Sequence, residues 1–164
     1  MAPPRYAGVV AAAQRQDGTA DIHEVVGERL RSLDQLYTTG RRQLVTLLVG
    51  ADRPVTIPEL TAAHPEVALS SAYRNLAVLE EVGVVTRILT GEHARFELAE
   101  EIRGDHHHHL ICTSCGRVDD FSVPPSLERS LERELARVLE ASTFTASSHR
   151  LDLVGTCGDC STEV

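Results

Sequence analysis

The stretch Asp105-His106-His107-His108-His109-Leu110-Ile111-Cys112-Thr113-Ser114-Cys115-Gly116 decides how the chain is read. Four consecutive histidines run into a Cys-x2-Cys pair, and a second such pair, Cys157 and Cys160, lies near the end of the sequence. These four are the only cysteines. Two pairs separated by a domain-sized stretch predict one tetrahedral zinc site, because both sulfurs of a two-residue turn can face the same ion. Two disulfides are the competing reading. Thiols kept reduced in the cytoplasm favour metal over that pairing.

The histidines are too many for a closed four-cysteine site. Successive side chains of an extended strand face opposite sides. His107 and His109 therefore share one face, and His106 and His108 the other. This alternation predicts two further metal sites, one on each face of the strand. The run is interior, so it is not a terminal affinity tag. The plain alternative is a solvated polar run of pH-sensitive surface histidines.

Around this stretch, 164 residues leave room for one ordinary domain or two small ones. Hydrophobic residues make up 42% of the chain but aromatics only 4%, with no Trp, so the cores must be aliphatic. The formal net charge is -8, which by itself argues against nucleic acid. The acidity is uneven, however. Ten arginines face twelve acids up to residue 98, and six face twelve from residue 99 onward. The second part is thus the one rich in carboxylates that can serve as ligands. No run of about 18 apolar residues exists to span a membrane. Val9-Val10-Ala-Ala-Ala13 is too short and too weakly apolar for a signal peptide. The expected location is the cytoplasm.

The element pattern predicts an α+β chain. Residues 1–20 read as a flexible or partly helical arm. Apolar residues at helical spacing predict helices over 22–36 and 41–49. Thr56-Ile-Pro-Glu59 is a capping box that opens a short helix to about residue 63. Ser70 or Ser71 is expected to cap the next helix, which runs to about Val82, with Gly83 at its end. Residues 84–89 and 94–98 flank a Thr90-Gly91-Glu92-His93 turn and read as a β-hairpin. Helices followed by a hairpin give the order of a winged helix-turn-helix, with the helix over 71–82 as its recognition helix. Tyr73, Arg74 and Asn75, with Ser71 before them, lie near the end that enters a major groove in this class. Residues 99–105 read as a hinge. Beyond it come strands over 107–112 and 117–121, a helix over 126–140 and a strand over 149–155. The domains expected are a DNA-binding unit over 1–98 and a metal-binding dimerisation unit over 106–164.

No His-Glu-x2-His, nucleophile motif or phosphate-cradling glycine loop is present, so the pattern does not point to an enzyme. A zinc-ribbon interaction or storage protein would have no need for a helix-turn-helix and wing.

Together, the Tyr73-Arg74 helix, His107-x-His109-Leu-Ile-Cys112-x2-Cys115-Gly116 and the late Cys-x2-Cys resemble the ferric uptake regulator family over about residues 35–160. That resemblance implies a dimeric, metal-sensing regulator, mostly repressing, that binds an inverted repeat in double-stranded DNA. It implies structural zinc at Cys112, Cys115, Cys157 and Cys160. It implies a sensing site at Glu97, His107, His109 and Asp120, taking zinc or ferrous iron, with manganese also suited to such donors. His106, His108, Glu128 and His149 resemble an additional site. The chain departs from the family in two places. Arg53-Pro54 stands where iron and peroxide sensors usually have a histidine, and Ala99-Glu100-Glu101 stands where zinc sensors often have a cysteine. His23 and His93 are the candidates to supply a missing ligand. A peroxide sensor of the same family is the alternative that Asp120 keeps open.

Overall fold

The computed structural model describes residues 19–91 and 93–161. The arm expected over residues 1–20 lies outside them up to residue 18. Seven helices and five strands follow among the described residues: α1 Thr19–Ser32, α2 Thr39–Gly50, α3 Ile57–Ala63, α4 Leu69–Glu81, β1 Val85–Thr90, β2 His93–Leu98, α5 Glu100–Arg103, β3 His108–Cys112, β4 Val118–Phe121, α6 Pro125–Glu140, β5 Asp152–Gly155 and α7 Gly158–Ser161. The class is α+β, as the pattern predicts. No helix among the described residues is long and apolar enough to cross a membrane.

The helices α1 to α4 close on an aliphatic core of Val26, Leu30, Leu44, Val45, Leu48, Leu60, Leu76 and Leu79. Thr38 caps α2 with its hydroxyl. Thr56 and Glu59 form the expected capping box of α3: the Glu59 N–H donates to Thr56 Oγ1 at 3.2 Å, and the Thr56 N–H donates to Glu59 Oε2 at 2.7 Å. β1 and β2 pair antiparallel from Val85 opposite Leu98 to Thr90 opposite His93. The two-residue connection begins at Gly91, whose φ of 59° suits the mirror-image turns that tight hairpins use. Val55 adds an antiparallel bridge to Phe96, which ties the wing to the start of α3.

Local readings fail at two points. The first helix stops at Ser32 rather than residue 36. Asp34 takes a left-handed φ of 56°, and the Gln35 N–H donates back to the Leu30 carbonyl. Leu33 and Leu36 consequently point to solvent. Neither Ser70 nor Ser71 caps α4, because the helix begins earlier, at Leu69, behind Ala68, which supplies no side-chain cap. The polar 99–105 segment contains the helical turn α5, and its Ile102 packs into the core of α1–α4.

The second sheet has the order β4-β3-β5, with β3 antiparallel to β4 and parallel to β5. The parallel pairing needs a crossover, and α6 lies in it. The last strand begins at Asp152, later than the expected residue 149. No residue of α6 or β5 is buried; Leu127, Val138, Leu153 and Val154 are all exposed.

The capping box predicts two outcomes. Thr56→Ala is expected to cost about 1 kcal/mol in denaturant unfolding. Burial raises the Glu59 carboxyl, but hydrogen bonds from the Thr56 backbone and Arg53, with the Arg95 charge, outweigh it and hold it at about 2. A depressed carboxyl adds stability that is fully present above its ordinary value of 4.5 and is lost as pH falls towards 2. The unfolding free energies of wild type and Glu59→Gln should therefore differ most above that value and converge below it.

Candidate metal centres and recognition helix

β2 has two faces. Phe96 and Leu98 enter the helical core, while Arg95 and Glu97 turn towards β3 and the cysteine knuckle. Glu97 is only 6% exposed. His107 Nε2–H donates to its Oε2 and His109 Nε2–H to its Oε1, each at 3.1 Å. Burial raises the carboxyl, but the two imidazole bonds outweigh it and hold Glu97 at about 2. The same bond raises His107, against the opposing effect of burial. Asp120, opposite His109 in the β3–β4 pairing, completes the group. One ligand atom each from Glu97, His107, His109 and Asp120 lies within 4.8 Å of the others.

On the other side of the same segment, Glu128 of α6 collects His106, His108 and His149. His108 Nε2–H donates to Glu128 Oε2 at 3.0 Å. Glu128 Oε1 lies 2.9 Å from His149 Nε2 and 3.4 Å from His106 Nε2. The oxygen and the His149 nitrogen are nonetheless both without an aligned hydrogen bond. Close approach without alignment is how ligands crowd around a shared point. Burial raises the Glu128 carboxyl, and the imidazoles outweigh it and lower it. The strand alternation thus divides the four histidines as their spacing predicts.

The third group is Cys112, Cys115, Cys157 and Cys160, whose sulfurs also fall within 4.8 Å of one another. All four thiols are free. The Cys115 and Cys157 sulfurs are 3.8 Å apart. Two sulfurs at about 2.3 Å from one tetrahedral zinc stand about 3.8 Å apart, whereas a disulfide is about 2.05 Å. The first knuckle turns at Gly116, with φ of 67° and its N–H on the Cys112 carbonyl at 3.0 Å. Backbone N–H groups, that of Cys157 first, pull Cys112 down to about 6. Shared hydrogen bonds, from Cys157 first, push Cys160 up to about 12.

Buried polar atoms without a partner are rare in folded proteins. Among the described residues they are Arg41 Nε, Arg53 Nη1, His107 Nδ1, His108 Nδ1, Asp120 Oδ1, Glu128 Oε1 and His149 Nε2. Five of these seven belong to the two histidine clusters. Such a surplus of bare nitrogens and oxygens fits a divalent cation in each.

Of the two candidates for a missing ligand, His23 joins none of the clusters. The His23 ring lies against Tyr37 Oη at 2.5 Å and Thr46 Oγ1 at 3.2 Å. The side chain of His93 lies outside the described residues. Arg53, at the departure from the family pattern, instead bonds Glu59 Oε1 at 3.0 Å.

On α4, Tyr73 is 55% exposed and Arg74 is exposed, with its Nε–H on the Ser70 carbonyl. Asn75 is half-buried beside α2, where its amide lies so close to Gly40 that a Cβ there would stand 3.1 Å away. Ser71 is half-buried. The sequence reading missed several partners of the clusters. Arg103 of α5 holds Asp120 Oδ2 at 3.0 Å, Glu100 holds His106 Nδ1 at 2.9 Å, and Asp152 lies 3.4 Å from His109 Nδ1. Arg95 was missed as well. Only carboxylate-rich composition hinted at the acidic partners.

The profile of the ferric uptake regulator family matches residues 35–154. The ferric uptake regulation protein of Bordetella parapertussis is 41% identical over 103 residues, which are 62% of this chain and 68% of that protein. The peroxide-responsive repressor PerR of Staphylococcus aureus is 26% identical over 148 residues, 85% of this chain and 93% of its own. The solved ferric uptake regulator Fur of Helicobacter pylori superposes with a TM-score of 0.69 at 22% identity, covering 91% of this chain and 97% of that one.

Glu128 is the one carboxylate that all three imidazoles of its cluster face. Glu128→Ala is expected to lower divalent-ion uptake by about one ion per chain while leaving the other two clusters loaded, as read by elemental analysis after dialysis.

Proposed function

The chain belongs to the ferric uptake regulator family, whose members are metal-responsive transcriptional regulators and not enzymes, and from that premise we propose that it is a metal-dependent DNA-binding repressor of metal-homeostasis genes. Residues 1–98 form the DNA-binding domain, 99–105 the hinge and 106–164 the metal-binding dimerisation domain. The protein acts in the cytoplasm as a homodimer on an inverted repeat. The uncovered apolar side chains of α6 and β5 support the dimer, since Leu127, Val138, Leu153 and Val154 are too many to leave in water without cost.

The observation that carries this reading is the convergence of Glu97 with His107, His109 and Asp120. Glu97 comes from the wing, and its partners come from β3, β4 and the segment before them. In our reading these four hold the regulatory ion, zinc or ferrous iron, and manganese suits the same donors. The ion supplies a crosslink. Everything else is the work of the chain: Phe96 and Leu98 fix β2 in the helical core, so fixing Glu97 against β3 also fixes the angle of α4. The energy available for switching is the difference in ion affinity between the fixed and loose arrangements. Cys112, Cys115, Cys157 and Cys160 hold structural zinc, and His106, His108, Glu128 and His149 hold an additional ion. Arg74 and Tyr73 meet base edges and phosphates from the exposed side of α4, with Ser71 and Asn75 beside them.

A second reading is favoured by Asp120, whose Oδ1 is bare inside the sensing cluster, and by the likeness to PerR. On that reading, with ferrous iron bound, His107 or His109 would take one oxygen atom from hydrogen peroxide and the other would leave as water. Mass spectrometry of the iron-loaded protein after peroxide would find one added oxygen atom on the peptide containing them; an unchanged mass would remove this reading.

The test of the main proposal uses double-stranded DNA enriched by binding from a random pool. Protein freed of exchangeable metal is titrated onto it, with zinc, ferrous iron or manganese added in turn. We expect at least about a tenfold gain in affinity with one metal, a coupling of about 1.4 kcal/mol. Glu97→Ala should abolish that gain, and Glu128→Ala should not. Affinity indifferent to every metal would sink the proposal.

A further inference from the structure

Glu97 is not alone on its face of β2. Arg95, two residues earlier, is 5% exposed and belongs to none of the three clusters. A buried guanidinium must find acceptors for its donors. Arg95 finds them on three separate segments. Its Nε–H donates to the carbonyl of Gly116, in the cysteine knuckle. Its Nη1–H groups reach the Pro54 carbonyl at 3.2 Å and Glu59 Oε2 at 2.8 Å. Glu59 is the capping-box residue of α3, the first helix of the helix-turn-helix.

The knuckle is docked as well as bonded. A Cβ on Gly116 would stand 3.2 Å from Thr90 Oγ1 and 3.5 Å from the Thr90 carbonyl, so this glycine sits directly on the end of β1. Its positive φ strains any larger residue, and the close approach would require Thr90 to give way. The knuckle carbonyl is therefore held within reach of Arg95 by backbone packing.

We propose that Arg95 is a positioning residue that couples the order of the four-cysteine site to the first helix of the DNA-reading unit, by a route separate from Glu97. The inference rests on reading those cysteines as a zinc site. Without the ion, the two cysteine pairs keep the Cys157 N–H on Cys112 Sγ and the Thr113 bonds to the Gly155 carbonyl, but lose the clamp through all four sulfurs, and the Gly116 carbonyl is held less firmly. Arg95 then follows it or loses it, and the geometry around Glu59 at the start of α3 changes in either case. A merely structural ion pair would steady α3 whatever the state of the cysteines.

Hydrogen exchange on the full chain separates the two roles, with zinc content measured on the same samples. In wild type, extracting the zinc should speed exchange in the peptide spanning α3 by about tenfold, while the α2 peptide is unaffected. Arg95→Gln should show the fast α3 exchange with its zinc still bound, and no further response when the zinc is removed. Arg95→Lys, which keeps the charge but cannot span three acceptors, should behave in the same way and guards against a variant that fails to fold. An α3 indifferent to zinc extraction in wild type overturns the coupling, as does a uniform rise across all peptides or a full response surviving in both variants. A wild-type protein that holds no zinc overturns the proposal through the cysteine reading instead, and the zinc measurement identifies that case.

Discussion

The rest of the structure turns on one buried carboxylate. Glu97 lies among side chains that exclude water, where an unpaired charge is expensive. Its position follows from the alternation of β2. Phe96 and Leu98 are claimed by the aliphatic core, so Glu97 must face the other way. Two imidazoles from the β3 segment meet that need, one on each oxygen. The contact between the wing and the second sheet is thus polar and built from metal-ligand side chains. An apolar contact at the same place would hold the two parts together but could not be switched by an ion.

The two parts are held in different ways. The first has an ordinary core, with Val26, Leu30, Val45 and Leu79 fully buried around a continuous cluster. After Ile102, which belongs to that same cluster, the buried residues among those described are His107, His108, His109, Cys112 and Val118. Four of those five are metal-ligand types. A segment this poor in buried apolar area needs a staple, a partner, or both. The same metal-ligand side chains therefore make up most of what is buried there.

Much of this was legible because it is written in local periods. The alternation of His106 to His109 reports two faces whatever lies on them. The two Cys-x2-Cys pairs and the Thr56–Glu59 box each carry their geometry within four residues. The misses have a common physical cause. The α1 terminus depends on Asp34 entering a left-handed conformation, which apolar spacing does not encode. α4 starts at Leu69 behind Ala68 with no side-chain cap, so the capping residues that follow do not mark its start. Glu100, Arg103 and Arg95 look like ordinary surface charges in the sequence. The partners named for them lie between six and 41 residues away, and nothing local distinguishes a charge that will be buried from one that will not.

Charge balance then gives the three clusters different characters. Four thiolates around a divalent ion leave net negative charge, and the nearby backbone N–H groups and Arg117 lie where they can offset it. Such a site is soft, closed and slow to exchange. Three imidazoles and Glu128 around the same ion leave net positive charge. Glu97 and Asp120 with two neutral imidazoles balance it. Arg103 already engages one oxygen of Asp120 and leaves the other bare towards the cluster, so the carboxylate is held in place before any ion arrives. A preorganised site of nitrogen and oxygen donors binds without large rearrangement, and without the ion Glu97 keeps its two imidazole donors and Asp120 keeps Arg103. It also bridges the two parts of the chain. Of the three clusters, it alone includes a residue of β2, whose Phe96 and Leu98 pack in the same core as Leu76 and Leu79 of α4.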